Sequence, residues 1–290
     1  MDLELIGCDG SRWNIHGYAA NAQGVELMAD VKGILEAPVK SIWMQGAFQE
    51  GSTYMGFRTE PFDVVLPVRV EGKNVYDFQV QDSRFRRALG TPDDEFKLVA
   101  RSADGPRTLT LRLTEIPEYL GEHDPTTAEF ADYVLQCRGG WPRWVGDTDT
   151  DTFVAPTGTG AGFVTVSNPT DTPLYLQWVC SAPGKWTLPD FSWNDDEWAT
   201  RVIDTPTLLD GQGLSIETYP FNEPYVAADG SNIAGRFGGV SFLHPVPPHT
   251  APTQVPVAVT GGGENAACQV RMVRNWRRPY GGDQEWLREQ

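Results

Sequence analysis

The 290-residue chain carries 39 acidic against 23 basic side chains, a net charge of -16. That balance argues against a general nucleic-acid binder and against adhesion to an anionic membrane, because both need an excess of Lys and Arg; it does suit a surface past which DNA slides without sticking. No apolar run reaches the ~18 residues of a membrane span, and the length fits two domains of ~150 residues, each able to bury its own core.

The first residues, Met1 to Ile6, lack the basic region and apolar stretch of a signal peptide, so the expectation is a chain made and folded in a cytoplasm. Gly (30) and Pro (22) are spread along the chain and favour β structure with many turns. Residues 63–70 alternate, with Val64, Leu66, Val68 and Val70 on one face; residues 108–114 place Leu109, Leu111 and Leu113 opposite Thr108, Thr110, Arg112 and Thr114. Period two predicts half-buried strands, and residues 96–101 and 131–137 read the same way. Between them, Val75–Leu89 predicts the one helix of the first half. Asn74 stands at its cap, Asp77 in the first turn, Arg84, Arg86 and Arg87 near the end, and Gly90 and Pro92 beyond it.

Residues 139–162 are polar and Gly-rich without periodicity and read as a linker or a domain boundary, with Trp141 and Trp144 packing at the junction. Short strands are expected after it at 163–167, 174–180, 185–188, 199–203, 214–218, 255–260 and 267–274, which predicts a β-sandwich or jelly roll. Residues 245–252 hold too many prolines for a central strand and are expected as a loop or an edge. The expected division is 1–145, 146–275 and a C-terminal extension, 276–290. In that extension Trp276, Tyr280 and Trp286 accompany arginines, a composition typical of binding hot spots; a tail packed on its own domain is the alternative.

Residues that carry chemistry are scarce. Asp147, Asp149 and Asp151 match the first ligand positions of an EF-hand loop, but Thr152 and Gly158 stand where Gly and Glu are needed. The glycines at 158–162 are followed by a strand and no Gly-Lys-Ser/Thr, so they make no phosphate cradle. His16, His123, His244 and His249 have no metal-ligand spacing, and no nucleophile elbow exists. Cys8, Cys137, Cys180 and Cys268 lie far apart and read as buried thiols, not as a disulfide framework or a metal site. Asp190, Asp195, Asp196 and Glu197 cluster with Trp186, Phe191, Trp193 and Trp198. Carboxylates beside aromatic platforms suit sugar hydrolysis or glycan binding; the plainer reading is a surface loop pinned by its aromatics, with Trp186, Trp193 and Trp198 as the candidate glycan or protein contacts. Arg84, Arg86 and Arg87 are candidate partner contacts, although a helix C-terminus and an Asp82–Arg86 pair account for them without a partner. No catalytic residue, cofactor or metal is assigned.

Several segments carry a resemblance: Gly7-Cys8-Asp9-Gly10-Ser11, residues 35–43, the Gly/aromatic stretch 46–57, Asp82-Ser83-Arg84-Phe85-Arg86-Arg87-Ala88, Trp186-Thr187-Leu188-Pro189-Asp190, residues 242–248, and Asn275-Trp276-Arg277-Arg278-Pro279-Tyr280. Through them the chain resembles the minor tail proteins of actinobacterial siphoviruses, and within these the distal tail protein. The resemblance implies a mainly β protein: an N-terminal β-rich belt domain with one helix that closes into a ring, usually a homohexamer, and a C-terminal galectin-like sandwich. It implies a non-enzymatic place at the virion tail tip. The expected neighbours are further copies of itself, the tail tube protein, the tape-measure protein and the tail-tip hub protein, with DNA only in transit and no membrane anchor. A host-glycan-binding module and an envelope hydrolase are the competing readings.

Overall fold

The computed structural model describes residues 1–121, 124–125 and 127–281. It is mainly β with one α-helix, as the sequence predicts, and it divides into two compact units.

The first unit comprises Met1–Gly146 and Trp276–Gly281. Its strands are β1 (Asp2–Ile6), β2 (Arg12–His16), β3 (Val25–Leu27), β4 (Val39–Met44), β5 (Thr53–Thr59), β6 (Phe62–Glu71), β7 (Phe96–Ser102), β8 (Gly105–Leu113), β9 (Glu118–Tyr119) and β10 (Phe130–Gly139), with helix α1 at Val75–Leu89. All the pairings are antiparallel. β2, β1, β7 and β8 follow one another side by side, and the end of β8 joins β10, which pairs with β6, which pairs with β3. The predicted alternation is realised: Val64, Leu66, Val68 and Val70 of β6 and Leu109, Leu111 and Leu113 of β8 all face the core. There they meet Trp13, Phe62, Phe96 and the Phe78, Phe85 and Leu89 face of α1.

Helix α1 begins and ends where its sequence dictates. The Asn74 side chain accepts from Asp77 N (3.0 Å), and Asp77 returns the favour by accepting from Lys73 N (2.8 Å), so two N-terminal donors are satisfied. Gly90 stops it at φ +66°, donating to Arg86 O, in a backbone region that a side chain resists.

The second unit comprises Asp147–Asn275 among the described residues. Strand β11 (Trp144–Ala155) enters it. There follow β12 (Gly160–Asn168), β13 (Gln177–Cys180), β14 (Lys185–Pro189), β15 (Val202–Asp204), β16 (Leu214–Glu217), β17 (Tyr225–Ala227), β18 (Thr250–Thr260) and β19 (Ala266–Trp276). One sheet runs β12-β18-β14-β15, the other β17-β16-β13-β19. Val164, Trp186, Leu188, Val257 and Val259 from the first share a core with Trp178, Cys180, Leu214, Cys268 and Val270 from the second, which makes the unit a β-sandwich.

Residues 139–162 hold the boundary between the units, after Gly146, but they are not a linker: β11 and β12 occupy most of them. The alternating Asp and Thr of 147–152 hid a strand because both of its faces are largely polar, while Thr favours extended backbone. Trp144 is fully buried in the first unit's core, its Nε1 donating to Ile34 O (3.0 Å). Residues 245–252 follow the expectation of a loop or an edge: 250–252 open β18 in its one-sided half. Pro252 is tolerated because β14 pairs only with residues 258–260, leaving that half of β18 paired on one side.

Candidate assembly surface

The stretch 35–59 builds an exposed apolar surface on the first unit. β4 and β5 form a hairpin whose strands pair only with each other among the described residues. Its base is closed by Glu60 N donating to Pro38 O (2.8 Å), and its turn by Gly46 N and Thr53 Oγ1, both bonded to the Gln49 side chain. A bulge between Ile42 and Trp43 shifts the register, so that Val39 opposes Thr59, Ser41 opposes Phe57 and Trp43 opposes Tyr54. Trp43 and Tyr54 meet edge to face (5.2 Å between centroids), and Trp43 Nε1 donates to Ser41 Oγ.

Val39, Ile42, Trp43, Met44, Phe48, Tyr54, Met55 and Phe57 are all exposed, Phe48 completely. A single exposed apolar side chain is ordinary; eight on one hairpin form a patch of the kind that marks an interaction site. Val39, Ser41, Tyr54, Phe57 and Thr59 line a cleft of about 440 Å³, together with Glu36, Ala37, Arg143 and Arg277. Since β4 and β5 each have only one strand partner, the hairpin also keeps two open edges.

The arginines of α1 are exposed and locally engaged. Arg86 pairs with Asp82 (3.1 Å) and lies over the Tyr133 ring (4.7 Å); Arg84 reaches Gln81 and the Trp13 ring; the Arg87 carbonyl accepts from Cys8 Sγ. Trp276 is buried in the first unit's core, which corrects its reading as an interface residue. The guanidinium of Arg107, itself 1% exposed, lies 3.9 Å from the Trp276 ring centroid and donates to Arg278 O (2.9 Å) and Gly281 O (2.8 Å). Asp104 accepts from Gly281 N. Sequence reasoning missed Arg107, since nothing in an alternating strand marks one of its basic residues as buried. Tyr280 is 44% exposed; Trp286 lies outside the described residues, as does His123.

The acidic-aromatic cluster of the second unit does not assemble as a catalytic pair. Trp186 is fully buried, its Nε1 donating to Ser181 O, so it offers no face to a glycan; it follows the same alternation as Leu188, which was the available signal. Asp190 is enclosed: it pairs with Arg201 and accepts from Leu243 N and His244 N, tying down the loop 242–244. Asp196 caps its own loop, accepting from Ser192 Oγ (2.6 Å) and Trp198 N (2.8 Å). The serine bond first, then the backbone amide, holds its carboxyl below the usual range. Trp193 is half-buried against Phe191, and Trp198 is exposed beside Arg201. Among the described residues no group of three His, Cys, Asp or Glu is placed to hold a metal ion.

No family model matches the chain. It is 25% identical to minor tail protein Gp27 of Mycobacterium phage L5 and 26% identical to minor tail protein Gp27 of Mycobacterium phage D29, in each case over 96% of this chain and 98% of the relative. Among solved structures it resembles the SPP1 Dit (gp 19.1) protein, described as a paradigm of the hub adsorption apparatus in phages infecting Gram-positive hosts. The TM-score is 0.62 at 13% identity, over 93% of this chain and 98% of that one, so the fold is shared from end to end.

Proposed function

We propose that this chain, a homologue of the mycobacteriophage minor tail proteins, is a structural subunit of a phage tail tip that works by fitting against copies of itself and other tail proteins. In this reading the first unit closes into a homohexameric ring between the tail tube protein and the tail-tip hub protein. The tape-measure protein and then DNA pass through its centre, and the chain, made in the host cytoplasm, ends up at the virion tail tip. It performs no catalysis, and its carboxylates serve as acceptors within the fold.

The observation that carries the reading is the exposed apolar hairpin β4–β5. A closed ring of one protein needs heterologous contacts, a patch on one side of each subunit meeting a different patch on the next. A hairpin with apolar side chains on the outside and open edges supplies one such patch, by side-chain burial and by strand pairing with a neighbour. The α1 arginines suit the opposing patch of an acidic protein. The net charge of -16 suits a wall that repels phosphate wherever it lines the channel.

The test is self-association of the full chain, followed by light scattering, cross-linking and negative-stain imaging, with Trp43→Ser/Phe57→Ser alongside. The expected result is an annulus of copies cross-linked through residues 39–59, lost in the double variant without a change in unfolding temperature. A wild-type chain that stays monomeric, and enters tails as readily as the double variant, would sink the proposal. A second reading rests on exposed Trp198 as a contact for a host glycan or a protein. Glycan-array binding lost in Trp198→Ala would favour it.

A further inference from the structure

Two of the four cysteines, 88 residues apart in sequence, meet inside the second unit. Cys180 ends β13 and Cys268 lies near the start of β19; these strands pair antiparallel with the two cysteines directly opposed. Ser181 N donates to Ala267 O (2.9 Å), so the ladder bond falls on the next pair and the cysteines occupy a non-hydrogen-bonded position. At such positions the Cα atoms of an antiparallel pair stand about 4.5 Å apart and the side chains are at their closest, inside the span a disulfide accepts. The Sγ atoms are 3.2 Å apart, as a thiol–thiol contact, and both residues are almost wholly buried. Cys137 is buried in the first unit and Cys8 is exposed, so neither competes for this partner within the second unit.

We propose that Cys180 and Cys268 are a modification site: a reduced dithiol in a reducing cytoplasm that closes to a cross-strand disulfide when a small-molecule disulfide, such as oxidised glutathione, is the oxidant. In the first step one cysteine thiolate attacks a sulfur of the reagent, forming a mixed disulfide and releasing one glutathione thiolate. In the second step the other cysteine, having given up its proton, attacks the protein-bound sulfur. The Cys180–Cys268 bond forms, the mixed disulfide breaks, and the second glutathione leaves. Two protein thiols lose two electrons and two protons; one oxidised glutathione becomes two reduced ones. The native sandwich resists the first step, because burial, and then the neighbouring thiol, push the Cys180 thiol up and β13 has a strand on either side. Closure therefore takes place as the unit folds or reopens. The bond would staple β13 to β19 across an 88-residue loop, a separation at which a cross-link constrains the unfolded chain strongly. The chemistry does not depend on the assembly role proposed above.

The experiment uses the full chain with Cys8→Ser, which removes the exposed thiol and its intermolecular bonds. It is unfolded and refolded once in reductant and once in a glutathione redox buffer, then analysed by thiol titration in denaturant, non-reducing peptide mapping and thermal unfolding. Expected in the oxidised sample are one remaining thiol of three, a peptide pair joined through Cys180 and Cys268, and an unfolding temperature for the second unit raised on the order of 10 °C and returned by reductant. With Cys268→Ser added, the joined peptide and the rise both disappear. Three titratable thiols after oxidative refolding, a cross-link through Cys137, or an oxidised form that unfolds at a lower temperature than the reduced one would each overturn the inference.

Discussion

Glu4 shows how single charged residues hold the first unit together. It sits on β1, 7% exposed, and accepts from Arg12 on β2 (3.0 Å) and Arg101 on β7 (2.9 Å), joining three strands. Burial alone would raise its pKa; the bonds from Arg101 and Arg12 outweigh that and hold it below the usual carboxylate range. A carboxylate whose folded pKa is depressed adds stability above its unfolded pKa, and that stability is lost as pH falls through the folded value. Glu4→Gln is therefore expected to unfold at lower denaturant concentration than wild type at pH 7, with the gap closing as the pH falls through the acid range; urea titrations from pH 7 downward measure this. Arg107 is the second such residue. Its buried guanidinium is held by two carbonyls and an indole face, so Arg107→Ala leaves those carbonyls and a cavity behind. A loss of roughly 2–4 kcal/mol is expected, together with faster tryptic cleavage after Arg277 once residues 276–281 come loose. Unchanged cleavage would show that these contacts do not anchor the segment.

At the scale of elements, legibility followed the range of the signal. Helix α1 was readable because its cap, charges and stop all lie within its own sequence. Asn74→Ala is expected to cost about 1 kcal/mol in thermal unfolding. Gly90→Ala is expected to cost about 1–2 kcal/mol, since at φ +66° an added Cβ comes 2.7 Å from Asp94 Cβ. Strands β6, β8, β13 and β19 were readable because one face is apolar. The hairpin β4–β5 was visible only as a Gly/aromatic stretch: its apolar residues occupy both faces, so no period-two contrast arises, and a bulge breaks the register. Strand β11 was hidden for the opposite reason, having polar residues on both faces. The meeting of Cys180 with Cys268 and the burial of Arg107 depend on pairings between distant segments, which no local window contains.

For the molecule as a whole, charge and the apolar hairpin act against each other. Copies of a chain with net charge -16 repel at low ionic strength, while the exposed side chains of β4 and β5 favour contact. Adding salt shortens the repulsion to about 10 Å at 0.1 M and leaves hydrophobic contact intact. Mass photometry over rising sodium chloride is expected to show the oligomer gaining at the expense of the monomer, and Trp43→Ser/Phe57→Ser staying monomeric throughout. Dissociation with rising salt would mean that ion pairs, the α1 arginines among them, hold the copies together.

The first unit is written in two pieces of sequence, Met1–Gly146 and Trp276–Gly281, with the second unit between them. The two break points are neighbours within the first unit: Val145 pairs with Thr108, and Trp276 lies against Arg107. The second unit is thus inserted between two neighbouring points of the first, and strands β11 and β19 carry the chain across the two break points. Replacing residues 147–275 by a short Gly/Ser bridge should leave a folded remnant, its own circular dichroism melt intact. Lineages that swap one sandwich for another at this seam would change what the second unit meets while keeping the first unit's fold.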